Sequence, residues 1–303
     1  MTAHSIAMMK AWLKASRLPS QTYIFFPLLL GQGIAYSMTR QFSLPIFVMT
    51  HLFGLFIQLY IVYANDYADY EADQDNETYT VFTGGSRTLV MGMIHRHAMK
   101  KAIFIMVGLN IMIGVALSLL FYRVLSLIFI GLALLLLWAY SYEPIKLSYR
   151  GGGEILQVLG VAILLPIFAF YLQKGSIALF PREILLMLIP MQLSCALSTT
   201  LPDYPSDKKH EKRTFSVLLN PQSVKVAIIV LNLLSMGLML SYELIPLRAG
   251  LLLIALPFVF TLSLLTFFKH AQAGTDRLFY FVFLNIASLI VFVAGTALYF
   301  FLN

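Results

Sequence analysis

The chain is 303 residues long, 59% hydrophobic and only 12% charged, with 21 Lys and Arg against 14 Asp and Glu. Soluble domains carry roughly twice that charged fraction, so the composition excludes an ordinary soluble fold. The net charge of +7 is scattered over short loops with no basic helix or nucleic-acid module, which gives no ground for a nucleic-acid partner.

Taken in chain order, apolar stretches of about 17 to 25 residues, each long enough to cross a hydrocarbon core of roughly 30 Å, predict nine transmembrane helices. They cover Ser20–Met38, Pro45–Ala64, Ala102–Phe121, Leu125–Tyr142, Ile155–Leu172, Ile184–Thr200, Val224–Tyr242, Ala249–Phe268 and Leu278–Leu302. Spans this closely spaced predict a single all-α membrane domain over residues 1–303. The first span follows Lys10, Lys14 and Arg17 as a signal peptide would, but it is long, lacks a small-residue cleavage pattern and opens a series of similar segments. It reads as a retained helix. Cys195 is the single cysteine and falls in the sixth span, which excludes an intrachain disulfide and a cysteine-rich metal site.

Sixteen of the 21 Lys and Arg lie at the N-terminus or after spans two, four, six and eight, and five lie on the opposite face. Positive residues near span ends are retained on the cytoplasmic side, so the N-terminus is expected in the cytoplasm, the C-terminus outside, and the protein in the cell's inner membrane. Some of these basic residues are also placed to meet anionic headgroups or a phosphorylated substrate.

Two of the cytoplasmic loops mix acids, bases and tyrosines beside a span end. The first reads Asn65-Asp66-Tyr67-Ala68-Asp69-Tyr70-Glu71-Ala72-Asp73, and the second, about 138 residues later, Asp203-Tyr204-Pro205-Ser206-Asp207-Lys208-Lys209-His210-Glu211. Each closes the second helix of a four-helix unit, which suggests a diverged duplication of spans one to four and five to eight, with a ninth helix added. Repeats in membrane proteins commonly place a site at their interface.

Asn65, Asp69 and Asp73 are spaced i, i+4, i+8, and Asp203, Asp207 and Glu211 repeat the spacing. A helix continuing past the membrane surface stacks such oxygens along one face, where like charges repel unless a cation sits between them. Carboxylate and amide oxygens without Cys or His suit a hard ion, and Mg²⁺ binds through a few carboxylates, waters and substrate phosphate oxygens. A diphosphate bridging the two clusters fits that chemistry. One such cluster alone would read as solvated loop residues; two in matching halves read as a site.

The paired Asn-x-x-x-Asp-x-x-x-Asp at Asn65–Asp73 and Asp-x-x-x-Asp at Asp203–Asp207 resemble the signatures of the UbiA superfamily of intramembrane prenyltransferases. The resemblance covers essentially the whole chain. It includes the nine-helix count, Arg17-Leu18-Pro19 before span one, Gly84-Gly85-Ser86-Arg87 after the first cluster and Lys212-Arg213-Thr214 after the second. The stretch Tyr140-Ser141-Tyr142-Glu143-Pro144-Ile145-Lys146-Leu147 running into Tyr149-Arg150-Gly151-Gly152-Gly153-Glu154 is similar to the 1,4-dihydroxy-2-naphthoate prenyltransferases of menaquinone synthesis. Glu143, Gly152 and Glu211 depart from the pattern, standing where proline, leucine, and glycine or aspartate are frequent.

The resemblance implies Mg²⁺-dependent transfer of a prenyl group from a polyprenyl diphosphate to an aromatic acceptor. Asn65, Asp69, Asp73, Asp203 and Asp207 would hold the metal, with Asp66 and Glu211 as second choices. Arg17, Lys146 and Arg150 would clamp the diphosphate, with Lys212, Arg213 and Arg87 next, since Arg offers a bidentate fork and Lys a point charge. The allyl cation needs an electron-rich, water-excluding wall, for which Tyr140 is the first candidate and Tyr142, Tyr67 and Tyr70 are others. Any single basic residue serves equally well as a topology anchor, and most of the 16 tyrosines are ordinary interface residues.

His95 and His97 point to different sides of a helix and do not make a metal pair, while His51 inside span two reads as a helix-packing residue. A cation-coupled transporter is the rival class, but it would carry acids near mid-membrane, and every Asp and Glu here lies near a span end. Soluble isoprenoid synthases lack the spans. Within the superfamily, enzymes acting on 4-hydroxybenzoate, homogentisate, haem, chlorophyll precursors or natural-product rings, and terpene cyclases, stay open alternatives.

Overall fold

In the computed structural model, which describes residues 3–303, every regular element among the described residues is a helix. The principal ones are α1 (Ala3–Ala15), α2 (Thr22–Thr39), α3 (Leu44–Ala68), α4 (Arg96–Phe121), α5 (Ser126–Ser141), α6 (Gly153–Lys174), α7 (Arg182–Thr200), α8 (Pro221–Ser241), α9 (Leu247–Phe267) and α10 (Asp276–Leu302). Among the described residues seven of these, α3, α4 and α6 to α10, are long and apolar enough to cross a bilayer. The first and fourth predicted spans coincide with α2 and α5, which fall short of that measure. Gly31, Gln32 and Gly33 dilute α2, and α5 has only 16 residues.

Helix starts follow the local sequence. Ser43 Oγ accepts from the Ile46 N–H beside Pro45 at the head of α3, Asn220 accepts from Gln222 and Ser223 ahead of α8, and Thr275 accepts from Leu278 ahead of α10. These side chains satisfy N–H groups that no earlier turn can reach.

Two apolar cores share one seam. Residues of α3, α4 and α5 build the first and residues of α7 to α10 the second, while α2 and α6 contribute to both. The seam is tight because Gly31 leaves room for the α6 backbone: a Cβ there would lie 2.1 Å from the Pro166 carbonyl oxygen. Lipid tails are as apolar as leucine, so helices in a bilayer are held by such close packing and by polar cross-links. In the second half, Ser194 and Asn232 both reach Asn285 Oδ1, at 3.0 and 2.8 Å, tying α7, α8 and α10 together. His51 is a packing residue, its Nε2 3.0 Å from Gln32 Oε1 and its ring between Phe25 and Phe47. Lys225 caps the end of α9, donating to the Phe268 carbonyl at 2.6 Å.

Candidate active site

The first acidic segment leaves α3 with a bend at Asp69 and a short helix, Tyr70–Gln74. The i to i+4 ladder nevertheless carries through the bend, since Asp69 N–H donates to the Asn65 carbonyl at 2.9 Å and Asp73 N–H to the Asp69 carbonyl at 2.8 Å. The predicted one-face stacking of Asn65, Asp69 and Asp73 is therefore kept. The second segment, Tyr204–Lys209, likewise binds Asp207 N–H to the Asp203 carbonyl at 2.8 Å. Here the predicted third position fails. The helix stops at Lys209, Glu211 takes a left-handed φ of 54° and points to solvent, and the chain reverses. Lys212 N–H then donates to the Asp207 carbonyl at 2.8 Å, which turns the Lys212 side chain inward where Glu211 was expected.

The two halves meet at this end of the bundle. Lys212 Nζ lies 3.3 Å from Asp69 Oδ2 and 3.8 Å from Asp207 Oδ1, and over the Tyr149 ring at 4.6 Å from its centre. Asn76 Nδ2 donates to Asp203 Oδ1 at 2.8 Å, Thr78 Oγ1 to the Pro202 carbonyl at 2.6 Å, and Ser206 Oγ to the Ala72 carbonyl at 3.1 Å. These bonds cross between the two acidic segments and hold them side by side.

A cavity of about 300 Å³ opens between them and runs down into the bundle. Arg17, Asn65, Asp69, Asp73, Tyr140, Asp203, Asp207 and Lys212 line it. The remaining expected residues lie off its wall. Lys146 sits over the Tyr149 ring at 3.8 Å, Arg150 pairs with exposed Glu143 at 3.0 Å, and Arg213 and Glu211 face solvent. Arg87 stacks on Tyr79 at 4.6 Å and donates to the Asp73 carbonyl, so it braces the acidic segment from behind. Asp66 is committed elsewhere: it pairs with Arg17 and accepts from Ser86 N–H at 3.1 Å and from the Ser86 hydroxyl. Tyr67 and Tyr70 both flank Arg96 at 4.9 Å, and Tyr142 reaches the Ala64 carbonyl, so of the aromatic candidates Tyr140 is the cavity residue.

Burial dominates the electrostatics. It pushes the carboxyls of Asp73 and Asp207 up to about 7, with neighbouring Asp69 adding to the rise at Asp73 and Lys212 opposing it at Asp207. Asp203 is also raised by burial, against the Asn76 hydrogen bond. At Lys212 burial works against the charge, but Asp69 and Asp207 outweigh it and hold the ammonium well above the ordinary lysine range. Arg17 behaves likewise through Asp66, and its buried Nε has no hydrogen-bond partner.

The donors fit a divalent hard ion that shares its shell with a ligand. Five oxygen-bearing side chains from two segments converge on one cavity mouth, two of their carboxyls are held above the normal range by burial, and Gly85 cradles one of them. A Cβ at Gly85 would sit 2.1 Å from Asp73 Oδ2, and its φ of +73° is one that side chains disfavour. Among the described residues no three Asp, Glu, His or Cys side chains close on a point by themselves, since Lys212 stands between the clusters. Water and phosphate oxygens would have to complete the shell, as they usually do for Mg²⁺.

Several cavity residues were not foreseen from the sequence: Asn76, Thr83, Ser148, Gln157, Thr214 and, deeper, Tyr23, Gln58 and Gln192. The loop residues carried no legible signal. A glutamine inside an apolar span did carry one, because an amide at that depth needs a partner or a ligand.

The chain matches the UbiA prenyltransferase family over residues 24–289. It is similar to the 2-carboxy-1,4-naphthoquinone phytyltransferase of Synechocystis sp., with 27% identity over 169 residues, 55% of this chain and 52% of that protein. The chain thus spans about half the length of the curated relative it matches. Among solved structures it is similar to a UbiA homolog from Archaeoglobus fulgidus bound to GPP and Mg²⁺, with a TM-score of 0.67 and 17% identity over 97% of this chain and 100% of that one. It is similar also to a digeranylgeranylglyceryl phosphate synthase, with a TM-score of 0.65 and 15% identity over 98% and 99% of the two chains. At such identities the structural likeness speaks for the fold alone. Because the family match runs through most of the sequence and includes both acidic segments, the chain belongs to the UbiA prenyltransferase family.

Proposed function

We propose that this chain is a Mg²⁺-dependent enzyme that transfers a polyprenyl group from an allylic diphosphate to an aromatic acceptor, 1,4-dihydroxy-2-naphthoate on the route to menaquinone. One observation carries the reading: Asp69 and Asp207, about 138 residues apart in sequence, flank the same ammonium at the mouth of the same cavity. The naphthoquinone acceptor in the name of the Synechocystis relative and the GPP and Mg²⁺ in the Archaeoglobus structure support it.

In this reading residues 1–303 form one domain of nine spans in two pseudo-repeats plus a ninth helix. The domain lies in the cell's inner membrane with the N-terminus and the acidic site on the cytoplasmic side, as the distribution of Lys and Arg favours.

Asn65, Asp69, Asp73, Asp203 and Asp207 would hold the metal, which supplies neutralising charge on the departing diphosphate. Arg17 and Lys212, both lining the cavity beside the aspartates, donate to its oxygens. As the allylic C–O bond breaks and diphosphate leaves with the electron pair, the Tyr140 ring faces the cationic prenyl carbon. The apolar wall formed by Ala133, Leu136 and Leu137 of α5 and Val161 and Leu164 of α6 receives the prenyl chain and keeps water out. The acceptor ring carbon forms the new C–C bond, and the ring regains aromaticity by losing a proton or, for a carboxylated ring carbon, CO₂.

The test is purified protein with Mg²⁺, radiolabelled geranylgeranyl diphosphate and a panel of 1,4-dihydroxy-2-naphthoate, 4-hydroxybenzoate and homogentisate. Prenylated naphthoate is expected, together with a loss of about a thousandfold or more in Asp69→Ala and Asp207→Ala. Full activity in either variant, or in EDTA, removes the two-cluster mechanism.

A further inference from the structure

Below the acids the cavity wall carries polar groups that the leaving-group chemistry does not use. Gln58 on α3 and Gln192 on α7 line it, only 5% and 4% exposed. Each stands eleven residues before a cavity-lining aspartate of its own half, Asp69 and Asp203. At a helical rise of about 1.5 Å per residue, eleven residues set each glutamine about 16 Å along its segment from its aspartate, toward the middle of its span. The Gln192 amide has no hydrogen-bond partner, and Gln58 uses only its Nε2, donating to Ser20 Oγ at 2.7 Å. Both side chains line the cavity with hydrogen-bonding positions that no protein group fills, and two such amides in a largely apolar lining offer an edge for a ligand's polar atoms.

Around the two glutamines the lining is largely hydrocarbon, from Ile57 and Ile61 of α3, Ala133, Leu136 and Leu137 of α5 and Val161 and Leu164 of α6, while the charged residues lining the cavity, Arg17, Lys212 and the four aspartates, are those of the acidic end. Gln58 and Gln192 are thus neutral hydrogen-bonding groups set in a mostly apolar part of the cavity.

We propose that Gln58 and Gln192 bind the ring oxygens of the aromatic acceptor, an assignment that rests on the prenyl-transfer reading above. The acceptor stands between the acids and the glutamines, its reacting carbon toward the diphosphate and its oxygenated edge toward the membrane interior. A carboxamide offers one acceptor and two donor positions, so the substrate class is a planar ring with phenolic hydroxyl or keto oxygens. A ring carboxylate finds no cation at that depth and is directed up toward Arg17.

The experiment compares Gln58→Met, Gln192→Met and the double variant with the parent protein in detergent, using Mg²⁺, geranylgeranyl diphosphate and 1,4-dihydroxy-2-naphthoate. Loss of one buried hydrogen bond should raise the acceptor KM about tenfold in Gln192→Met and leave the diphosphate KM unchanged. With 1-hydroxy-2-naphthoate, which lacks one ring oxygen, the parent should weaken and at least one variant should lose nothing further. An acceptor KM within twofold of the parent in all three variants, or an equal rise in both KM values, overturns the assignment. If a Met variant does not fold, equilibrium binding of the naphthoate to Gln192→Asn, whose amide is withdrawn by one methylene, reads the same contact, and unchanged affinity there overturns it too. A parent protein that prenylates no ring at all would bring down the functional reading, and this assignment with it.

Discussion

Replacing Lys212 with methionine removes the cation that touches both acidic clusters, 3.3 Å from Asp69 and 3.8 Å from Asp207. Unit charges at those separations attract by about 5 and about 4 kcal/mol at an effective dielectric near 20. Desolvation of the buried lysine, 9% exposed, takes back much of this. Deleting one member of a buried ionic group still costs about 3 kcal/mol or more, because the carboxylates are left facing each other. The metal-free variant is therefore expected to unfold at a lower temperature in detergent. A divalent ion entering the variant no longer competes with an ammonium, and relief of about 1.4 kcal/mol of that competition already makes binding tenfold tighter. Titration with Mn²⁺, followed by the electron paramagnetic resonance of the free ion and without diphosphate, should show at least that gain, and Mn²⁺ should restore much of the lost thermal stability. Mn²⁺ affinity equal to or weaker than that of the parent would refute the claim that Lys212 neutralises the site before substrate arrives.

Proton linkage at the site has a defined sign. Asp73 and Asp207 titrate near 7 in the metal-free fold against an ordinary value of 3.8, so between about pH 4 and 7 the folded state holds more protons than the unfolded one. Their contribution therefore lowers stability as pH rises through that window, and Mg²⁺ affinity should climb over the same range because the ion displaces those protons; calorimetric Mg²⁺ titrations at pH 6 and pH 8 with equal affinities would contradict this. Gly85→Ala should cost about 1 to 2 kcal/mol for its left-handed backbone and also push Asp73 aside, abolishing Mg²⁺-dependent turnover. Gly92→Ala is the control, with φ +65° and nothing within 4 Å of the new Cβ: it carries the backbone cost alone, so equal turnover in the two variants would show that Gly85 does not serve the site.

The apolar stretches alone were sufficient to mark the helices, since a bilayer demands long hydrocarbon-rich segments whose backbone groups bond internally. Each of the nine predicted spans coincides with a helix, with ends displaced by a few residues. The exceptions to simple hydropathy, α2 and α5, are weakened by Gln32 and by short length, and their place in the bundle comes from packing against α6 and the α3–α4 pair rather than from their own composition.

The acidic spacing was legible because four residues make nearly one helical turn, and Asn65, Asp69 and Asp73 keep that register through a bend. Nothing in the one-dimensional pattern showed that the second helix would end at Lys209, because a single left-handed residue, Glu211, reverses the chain and exchanges an expected acid for the Lys212 ammonium. Which bases face the cavity was equally hidden. Arg150 and Lys146 stand at span ends just as Arg17 does, yet they meet Glu143 and Tyr149 instead. Local periodicity fixes which residues share a helix face, and so the sequence by itself determined the helices and the two acidic rows. Only the packing of α2 against α6, and of one acidic segment against the other, decided that the rows share a mouth, because contacts about 138 residues apart depend on how whole helices dock.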